Sequence, residues 1–497
     1  MFRILIADTL PEKALVRYRN LPDIHIENKA GISADELRQI LPEYDGLVVR
    51  SRTTVGADIL FAAEQLKVIG RAGAGVDNID IKEATLRGII VMNTPGGNTI
   101  AATEHTIALI LAALRNIPQA NFSLREGKWN RKAFTGKELF GKTVGIVGFG
   151  KIGQEVAKRL AAFEATLLVY DPILTGELAD RFGVTLVSFS ELLNQSDIIT
   201  IHAPKIKETL NLFNENTFSQ CKDGVILINC ARGGIVNEQH LLKALDSGKV
   251  GAAALDVFEK EPPQNRELIN HPRCICTPHL GASTEEAQSK VAEQILEQMI
   301  KYFKTNVADH AVNFISVDEK LQPLIAPYFE LAYRIGRLFS KIQQERLGEA
   351  VVRFYGEILN YPAEPIASYL MTGALQSGGV DSREQTVEII NPVNALTIAK
   401  EKGIKLEISK RDRPLTSHTN LIECEFKTGE DMIQLAATVY VKNIYRLVNF
   451  NGYNLDVELS EKLVIIENED VPGIIGKVGT ILAGHKINIG QVSSGRI

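Results

Sequence analysis

At 497 residues the chain is long enough for about three domains with separate cores. A hydrophobic fraction of 45%, a charged fraction of 23% and a net charge of −5 fit an ordinary globular protein and give no electrostatic case for nucleic acid. Apolar runs such as HTIALILAALR are too short to span a bilayer, and MFRILIADTL enters a strand with neither signal nor transit segment, so no membrane and cytoplasmic residence are expected.

Residues 1–98 alternate strand-like runs (FRILIAD, DIHIE, GLVVRS, LKVIGRAG, IIVMNTP) with helical stretches, the rhythm of an open parallel α/β layer. From Ile100 to about Leu114 a long apolar helix leads into a second α/β unit holding TVGIVGFGKIG, TLLVYD, DIITIHAP, GVILINCA and AAALDVF. Residues 284–304 then predict an amphipathic helix that returns to the first layer. The reading is an inserted nucleotide unit at 99–283 within a substrate-side unit at 1–98 and 284–312, with a ligand cleft between them. Past about 317 an amphipathic helix (319–343) opens an α+β region over 318–458. Residues 462–497 read as strand (KLVIIEN), helix (GIIGKVGTILAGH) and strand (INIGQVSS). Five scattered cysteines argue against a disulfide framework, and Cys274 and Cys276 read as core residues, so no metal site is expected.

The glycines of TVGIVGFGKIG follow a β-branched strand and open a helix. Gly148 permits the tight turn, Gly150 lets backbone approach a pyrophosphate, and Gly153 lets helix pack closely on strand. The helix start then aims free N–H groups at the phosphates. TLLVYD ends in Asp171, 18 residues past Gly153, where a carboxylate grips a ribose hydroxyl; Pro172 follows with no adjacent arginine, favouring NAD over NADP.

Three polar residues stand just past later strands of the same unit: Arg232 in INCARGGIV, Glu261 in ALDVFEKEPP and His279 in CICTPHLGAS. Strand ends of one sheet share a crevice, and this trio suits hydride transfer between a nicotinamide and a 2-hydroxy acid. An imidazole takes the hydroxyl proton, a carboxylate fixes its tautomer, and a guanidinium holds the substrate carboxylate. Arg50 and Arg52, past GLVVR, offer cations for a phosphate, and the loop Arg71–Val76, with Gly73 and Gly75, offers backbone N–H groups for a carboxylate. His202 reads as a structural hydrogen-bonding residue, and His105 beside Glu104 as a satisfied buried pair.

GFGKIG, NCARGGIVNE, AALDVFEKEPP and TPHLGAST, in that order, resemble the NAD-dependent D-2-hydroxyacid dehydrogenase family. The resemblance covers about residues 1–310 and extends more weakly to the end. GRAGAGVDNID, VMNTPGGN, GKWNRKAFTG and PHLGASTEEAQ are similar to its long branch, which oxidises 3-phospho-D-glycerate, the first step of serine synthesis. The resemblance implies two Rossmann-like doubly wound domains, a homo-oligomer (dimer or tetramer), NAD as cofactor and 3-phosphoglycerate as substrate. It implies that Arg232 binds substrate, Glu261 is the partner acid and His279 the acid/base. It implies nucleotide contacts from Ala74, Lys151, Ile152, Asp171, Ala203, Cys230, Ala231, Asp256, Gly281 and Ala282. Ala74 and Ala203 stand where relatives often carry Thr, which leaves backbone contacts only. Arg131, near Trp129, resembles the arginine that family members supply across a dimer interface. Residues 318–458 resemble an intervening regulatory domain, most of all in GGVDSREQTVEIINPVNALTIAKEKGI. The residues from Lys462 resemble about half of an ACT module, which implies serine as effector with Asn468, Asp470 and Asn488 as contacts. Two rivals stay open: another 2-hydroxyacid dehydrogenase, such as a glyoxylate reductase, and a catalytically silent NAD-sensing corepressor-like protein.

Overall fold

The computed structural model describes all residues except 19–20, 344, 377–388, 413–417, 419, 441–443, 461, 470 and 496–497. Short β-branched runs build a first parallel sheet: β1 (Phe2–Ile6), β2 (Ile24–Asn28), β3 (Gly46–Val49), β4 (Val68–Arg71) and β5 (Ile90–Met92), in the order β2-β1-β3-β4-β5. GLVV and IVM are buried at every position, as a parallel sheet covered on both faces requires.

A second parallel sheet holds β6 (Thr143–Val147), β7 (Thr166–Tyr170), β8 (Thr185–Leu186), β9 (Ile198–Ile201), β10 (Val225–Asn229), β11 (Val250–Leu255) and β12 (Cys274–Cys276). Its order is β12-β11-β10-β9-β6-β7-β8. The strand order reverses between β6 and β9, which opens a crevice at their carboxyl ends. Two helices cross between the sheets. Thr99–Arg115 buries Leu109, Ile110, Ala113 and Leu114 in one cluster with Val144 and Ile146 of β6. Glu285–Thr305 returns to the first sheet as the hydrophobic pattern predicts, burying Val291, Ile295 and Met299 with Ile4, Val48 and Val68. Close approach is why β4 carries a glycine: a Cβ on Gly70 would lie 2.4 Å from the Met299 sulfur.

A third, mixed sheet contains β13 (Leu347–Tyr355), β14 (Lys405–Lys410), β15 (Leu421–Thr428), β16 (Asp431–Tyr440), β17 (Ile444–Phe450) and β18 (Tyr453–Glu458), ordered β14-β13-β15-β16-β17-β18. Helices Gln322–Ile342 and Ala363–Leu375 cover one face, joining Ile335, Phe339 and Leu370 to Val352, Phe354 and Phe426. This layer docks on the first sheet through the NPVN stretch: Asn391 Nδ2 donates to Gly88 O at 2.9 Å and Asn394 Nδ2 to Leu86 O at 3.0 Å.

The expectation of a strand–helix–strand segment at 462–497 needs correction. Only the helix Ile474–Gly484 forms; residues 462–469 and 487–495 lie in no sheet. Gln491 Nε2 donates to Asp456 O at 3.0 Å, and Asp456 N donates to Ser493 Oγ at 3.4 Å, so side chains rather than a backbone ladder tie the second run to β18. The physical reason is that an alternating run becomes a strand only by pairing under a covering layer. Here Val464, Ile466, Ile475 and Ile487 stay exposed.

Candidate active site

The second sheet supplies a nucleotide cradle made of backbone. β6 runs into Gly148, whose φ of +91° only glycine adopts freely and where a Cβ would sit 2.7 Å from the His202 carbonyl. A Cβ on Gly153 would stand 2.3 Å from Gly148 O, so the helix Lys151–Ala161 can lie on the strand only without one. At Gly150 a Cβ would meet nothing within 4 Å, which is the open space a pyrophosphate needs. No side chain caps this helix start, leaving its N–H groups and dipole for an anion. Asp171, past β7, closes the turn by accepting from Phe149 N at 2.7 Å and Ile173 N at 2.9 Å. The residues present thus fit NAD.

The first sheet brings guanidinium groups to the opposite wall. Arg71 ends β4; its Nε is buried without a hydrogen-bond partner. Burial, then the charges of Arg232 and Arg50, hold its pKa down to about 10. The Arg71 and Arg232 guanidiniums pack against one glycine loop, an arrangement of like charges that an anion stabilises. Arg232 crosses the crevice, its Nε donating to Asp77 Oδ2 at 2.9 Å. The glycines of RAGAG have a purpose the sequence did not reveal. A Cβ on Gly73 would lie 1.6 Å from an Arg71 nitrogen, and one on Gly75 2.2 Å from an Arg232 nitrogen. The backbone cradle expected of this loop is correspondingly narrower, because Gly73 N donates to Arg71 O and Ala72 N to Val49 O, each at 2.8 Å.

Arg50 and Arg52 separate in role. Asp8, 2% exposed, accepts from Arg50 N at 2.6 Å, from Thr53 Oγ1 at 2.6 Å and from Arg52 Nε at 3.1 Å. Arg52 Nη2 also donates to Ala7 O and Ile32 O, so this side chain braces the strand ends rather than reaching for a phosphate. Arg50 sends Nη1 to Thr9 O at 3.1 Å, and burial lowers its pKa. Arg131 and Trp129 lie exposed on the arm before β6.

His279 Nδ1 and Glu261 Oε2 are 2.8 Å apart, the pair the strand ends predict. Burial raises the Glu261 pKa, but the hydrogen bond and charge of His279, with the Phe258 N–H, outweigh it and hold the carboxyl below its usual range. The acid therefore stays ionised and fixes the imidazole with Nε2 outward. The Arg232 loop abuts the segment that leads to Glu261, since a Cβ on Gly233 would lie 1.7 Å from Phe258 O. His279 adopts φ +54°, a left-handed conformation rare outside glycine. Asp256, fully buried, holds it there by accepting from Leu280 N at 2.7 Å, Gly281 N at 2.8 Å and Thr277 Oγ1 at 2.6 Å. His105 Nε2 adds a contact at 3.1 Å, so its partner is Asp256 and not the adjacent Glu104.

The remaining expected nucleotide residues come from both walls, Ala74 from the first-sheet loop and the others from the second-sheet unit. Lys151 Nζ reaches Pro95 O at 3.4 Å, Asn93 Nδ2 donates to Ala74 O at 2.6 Å, and Ala231 N donates to Asn229 Oδ1 at 3.0 Å. Ala203 is buried against Gly148, Ile152 packs into the adjoining core, Ala282 follows Gly281, and burial pushes the Cys230 thiol up to about 12. His202, its Nε2 at 3.0 Å from Thr200 Oγ1, is held down to about 4 by burial and stays neutral. Asn468 and Asn488 are exposed, and Asp470 lies outside the described residues. Arg71, Asp77 and Asp8 were missed by sequence reasoning; the only local signal was Arg71 beside glycines. Among the described residues no cluster of side chains could hold a metal, and no single helix is long and apolar enough to cross a membrane.

Residues 107–281 match the NAD binding domain of D-isomer specific 2-hydroxyacid dehydrogenases, and that class is what the two-sheet fold and its crevice define. A glyoxylate reductase from Paecilomyes thermophila superimposes with a TM-score of 0.58 at 30% identity, over 63% of this chain and 98% of that one. Residues 324–451 match the D-3-phosphoglycerate dehydrogenase intervening domain. The D-3-phosphoglycerate dehydrogenase of Bacillus subtilis is 42% identical over 496 residues, which is 100% of this chain and 92% of that protein. That of Archaeoglobus fulgidus is 42% identical over 499 residues, 99% of this chain and 92% of that protein. The chain belongs to the D-3-phosphoglycerate dehydrogenase family.

Proposed function

We propose that this chain oxidises 3-phospho-D-glycerate to 3-phosphooxypyruvate with NAD. The observation that carries the reading is the His279–Glu261 pair at 2.8 Å, in a crevice whose facing glycine loop packs against the guanidiniums of Arg71 and Arg232. NAD, when bound on the glycine loop, supplies the two-electron acceptor. His279 Nε2 takes the proton from the substrate hydroxyl, and ionised Glu261 stabilises the imidazolium that results. Arg232 holds the carboxylate and polarises the reacting carbon, with its own position fixed by Asp77. Arg71 and Arg50 receive the remaining negative charge, including the phosphate.

A homo-oligomer completes this reading. Phe122, Leu124, Trp129 and Phe140 are 63%, 56%, 79% and 64% exposed along one arm, apolar surface that a second copy would cover while delivering Arg131. The glyoxylate-reductase reading is weaker because it gives the third sheet and the clustered cations nothing to do. Initial rates of NAD reduction with 3-phosphoglycerate, D-glycerate and D-lactate test the proposal. We expect the phosphorylated acid to lead by at least tenfold in kcat/KM, roughly the 1.4 kcal/mol that one charge-assisted contact supplies. Equal rates would reject the phosphate assignment, and no turnover with any 2-hydroxy acid would favour the silent NAD-sensing reading.

A further inference from the structure

Glu238 opens the helix Glu238–Ser247 and is only 9% exposed. The helix dipole favours an acid in a first turn, but it does so in water too and gives no reason for burial. Buried carboxylates are rare unless their oxygens accept hydrogen bonds. Glu238 Oε1 accepts from Glu259 N at 2.7 Å, and Glu259 Oε1 accepts in return from Glu238 N at 3.1 Å. Burial and the Glu259 charge outweigh that N–H and raise the Glu238 pKa, so the acid is held in place against its preference for water.

The clasp closes on one peptide unit. Its carbonyl, Phe258 O, lies against Gly233, where a Cβ would stand 1.7 Å away; its N–H is the one that Glu238 accepts. Carbonyl and N–H point in opposite directions across a trans peptide, so the unit is held from both sides. Both contacts come from the segment that carries Arg232, whose own carbonyl accepts from Asn229 Nδ2 at 3.0 Å. The N–H of Phe258 then donates to Glu261 Oε1 at 3.2 Å, which leaves Oε2 for His279 Nδ1 at 2.8 Å. Glu261 is itself exposed, so these two hydrogen bonds, rather than a packed core, aim its carboxylate.

We infer, on the dehydrogenase reading above, that Glu238 is a positioning residue: it holds the 258–259 peptide against the Arg232 loop and so aims Glu261 at His279. Its part is that of a buried acceptor, and a neutral amide oxygen at the same place would serve the same N–H. The loops after β10 and β11 are thereby tied to each other, which keeps the guanidinium that holds the substrate and the acid behind the imidazole in one geometry.

Steady-state rates of the full chain test the role. Glu238→Ala should lower kcat about tenfold, the scale of one lost buried hydrogen bond, with KM for NAD unchanged. Glu238→Gln should recover most of that loss. In a Glu261→Ala background the same Glu238→Ala change should cost less than about twofold, because its target is gone; a residue that only supports the fold would add its loss in full. Hydrogen exchange over residues 257–262, read by mass spectrometry, should quicken in Glu238→Ala and return to the parent rate in Glu238→Gln. Should Glu238→Ala fail to fold, Glu259→Ala, at an exposed position, opens the other half of the clasp and meets the same expectation against Glu261→Ala. Full turnover in a folded Glu238→Ala chain, no recovery in Glu238→Gln, or losses that multiply with Glu261→Ala would overturn the inference. A parent chain inactive on every 2-hydroxy acid would reject the dehydrogenase reading instead; the exchange comparison then decides the clasp, and unchanged exchange in Glu238→Ala would sink it.

Discussion

The two walls of the crevice solve one problem, holding anions, by opposite means. The nucleotide wall is backbone: three glycines, an uncapped helix start and one carboxylate that ties the loop. The facing wall is side chain: Arg50, Arg71 and Arg232 crowd together, with Gly73 and Gly75 sacrificed to make room for them. A backbone cradle has its donors in place before any ligand arrives, but it tolerates no added methyl. A guanidinium cluster holds repulsion that Asp77 and Asp8 offset only in part and a bound anion relieves further, so it can be pruned one cation at a time and discriminates by ligand charge. His279 stands on the seam, and losing it should break the chemistry while sparing both walls. His279→Ala is expected to lower kcat by ~10² to 10⁴ with NAD affinity nearly intact, measured by steady-state rates and fluorescence titration. A parallel loss of NAD affinity would mean that the imidazole supports the cradle instead.

The next largest effect should fall on the side-chain wall. Arg71→Met removes a buried cation whose Nε has no protein partner, so little is lost in the empty protein. In the reacting complex it should cost about 1.5–3 kcal/mol, or about 10- to 100-fold in kcat/KM for the phosphorylated acid. Stability should hold or rise, because the charges of Arg232 and Arg50 no longer face a third. Equal losses with 3-phosphoglycerate and D-lactate would assign Arg71 to the shared carboxylate rather than the phosphate.

Against that, Gly153→Ala should act through the backbone. The new Cβ meets Gly148 O at 2.3 Å, so the helix must lift from β6 at about 1–3 kcal/mol, read as a lower Tm together with weaker NAD binding. A methyl at Gly150 meets no protein atom and should leave stability alone while NAD binding falls. If both variants lose stability equally, the contrast between a packing glycine and a ligand-facing glycine is wrong.

The same contrast explains what could be read beforehand. The nucleotide wall was legible because its constraints are local: strand, glycines at fixed offsets, helix, and an acid at the end of the next strand. His279 and Glu261 were legible because parallel strand ends share a crevice. Arg71 and Asp77 were not, because their meaning lies in partners far along the chain; Asp77 meets Arg232 across 155 positions. Arg52 looked like a substrate cation, yet it braces Asp8, a residue that no motif marks. The run KLVIIEN carries a strand pattern, and the pattern alone does not supply the neighbouring strand that would make it one.

The smallest predicted effect sharpens the boundary between brace and site. Asp256 is buried, and burial raises its pKa, but hydrogen bonds from His105, Thr277 and Leu280 outweigh that and hold it below the usual carboxylate range. A folded pKa below the unfolded one means the ionised carboxylate adds stability above the unfolded value, and that this increment disappears as pH falls through the folded value. Asp256→Asn keeps the shape and loses the charge, so it should cost about 1 kcal/mol at neutral pH. Its stability gap from the parent chain should close as pH drops below about 4, the unfolded carboxylate's range, in urea unfolding series. The turnover deficit should follow a different course, because Asp256 also holds His279 at φ +54° through Leu280 and Gly281, and an amide oxygen accepts those bonds only in part. A gap that stays constant across acid pH would show that the side chain acts by packing alone, and that the left-handed turn of the catalytic loop needs no charge behind it.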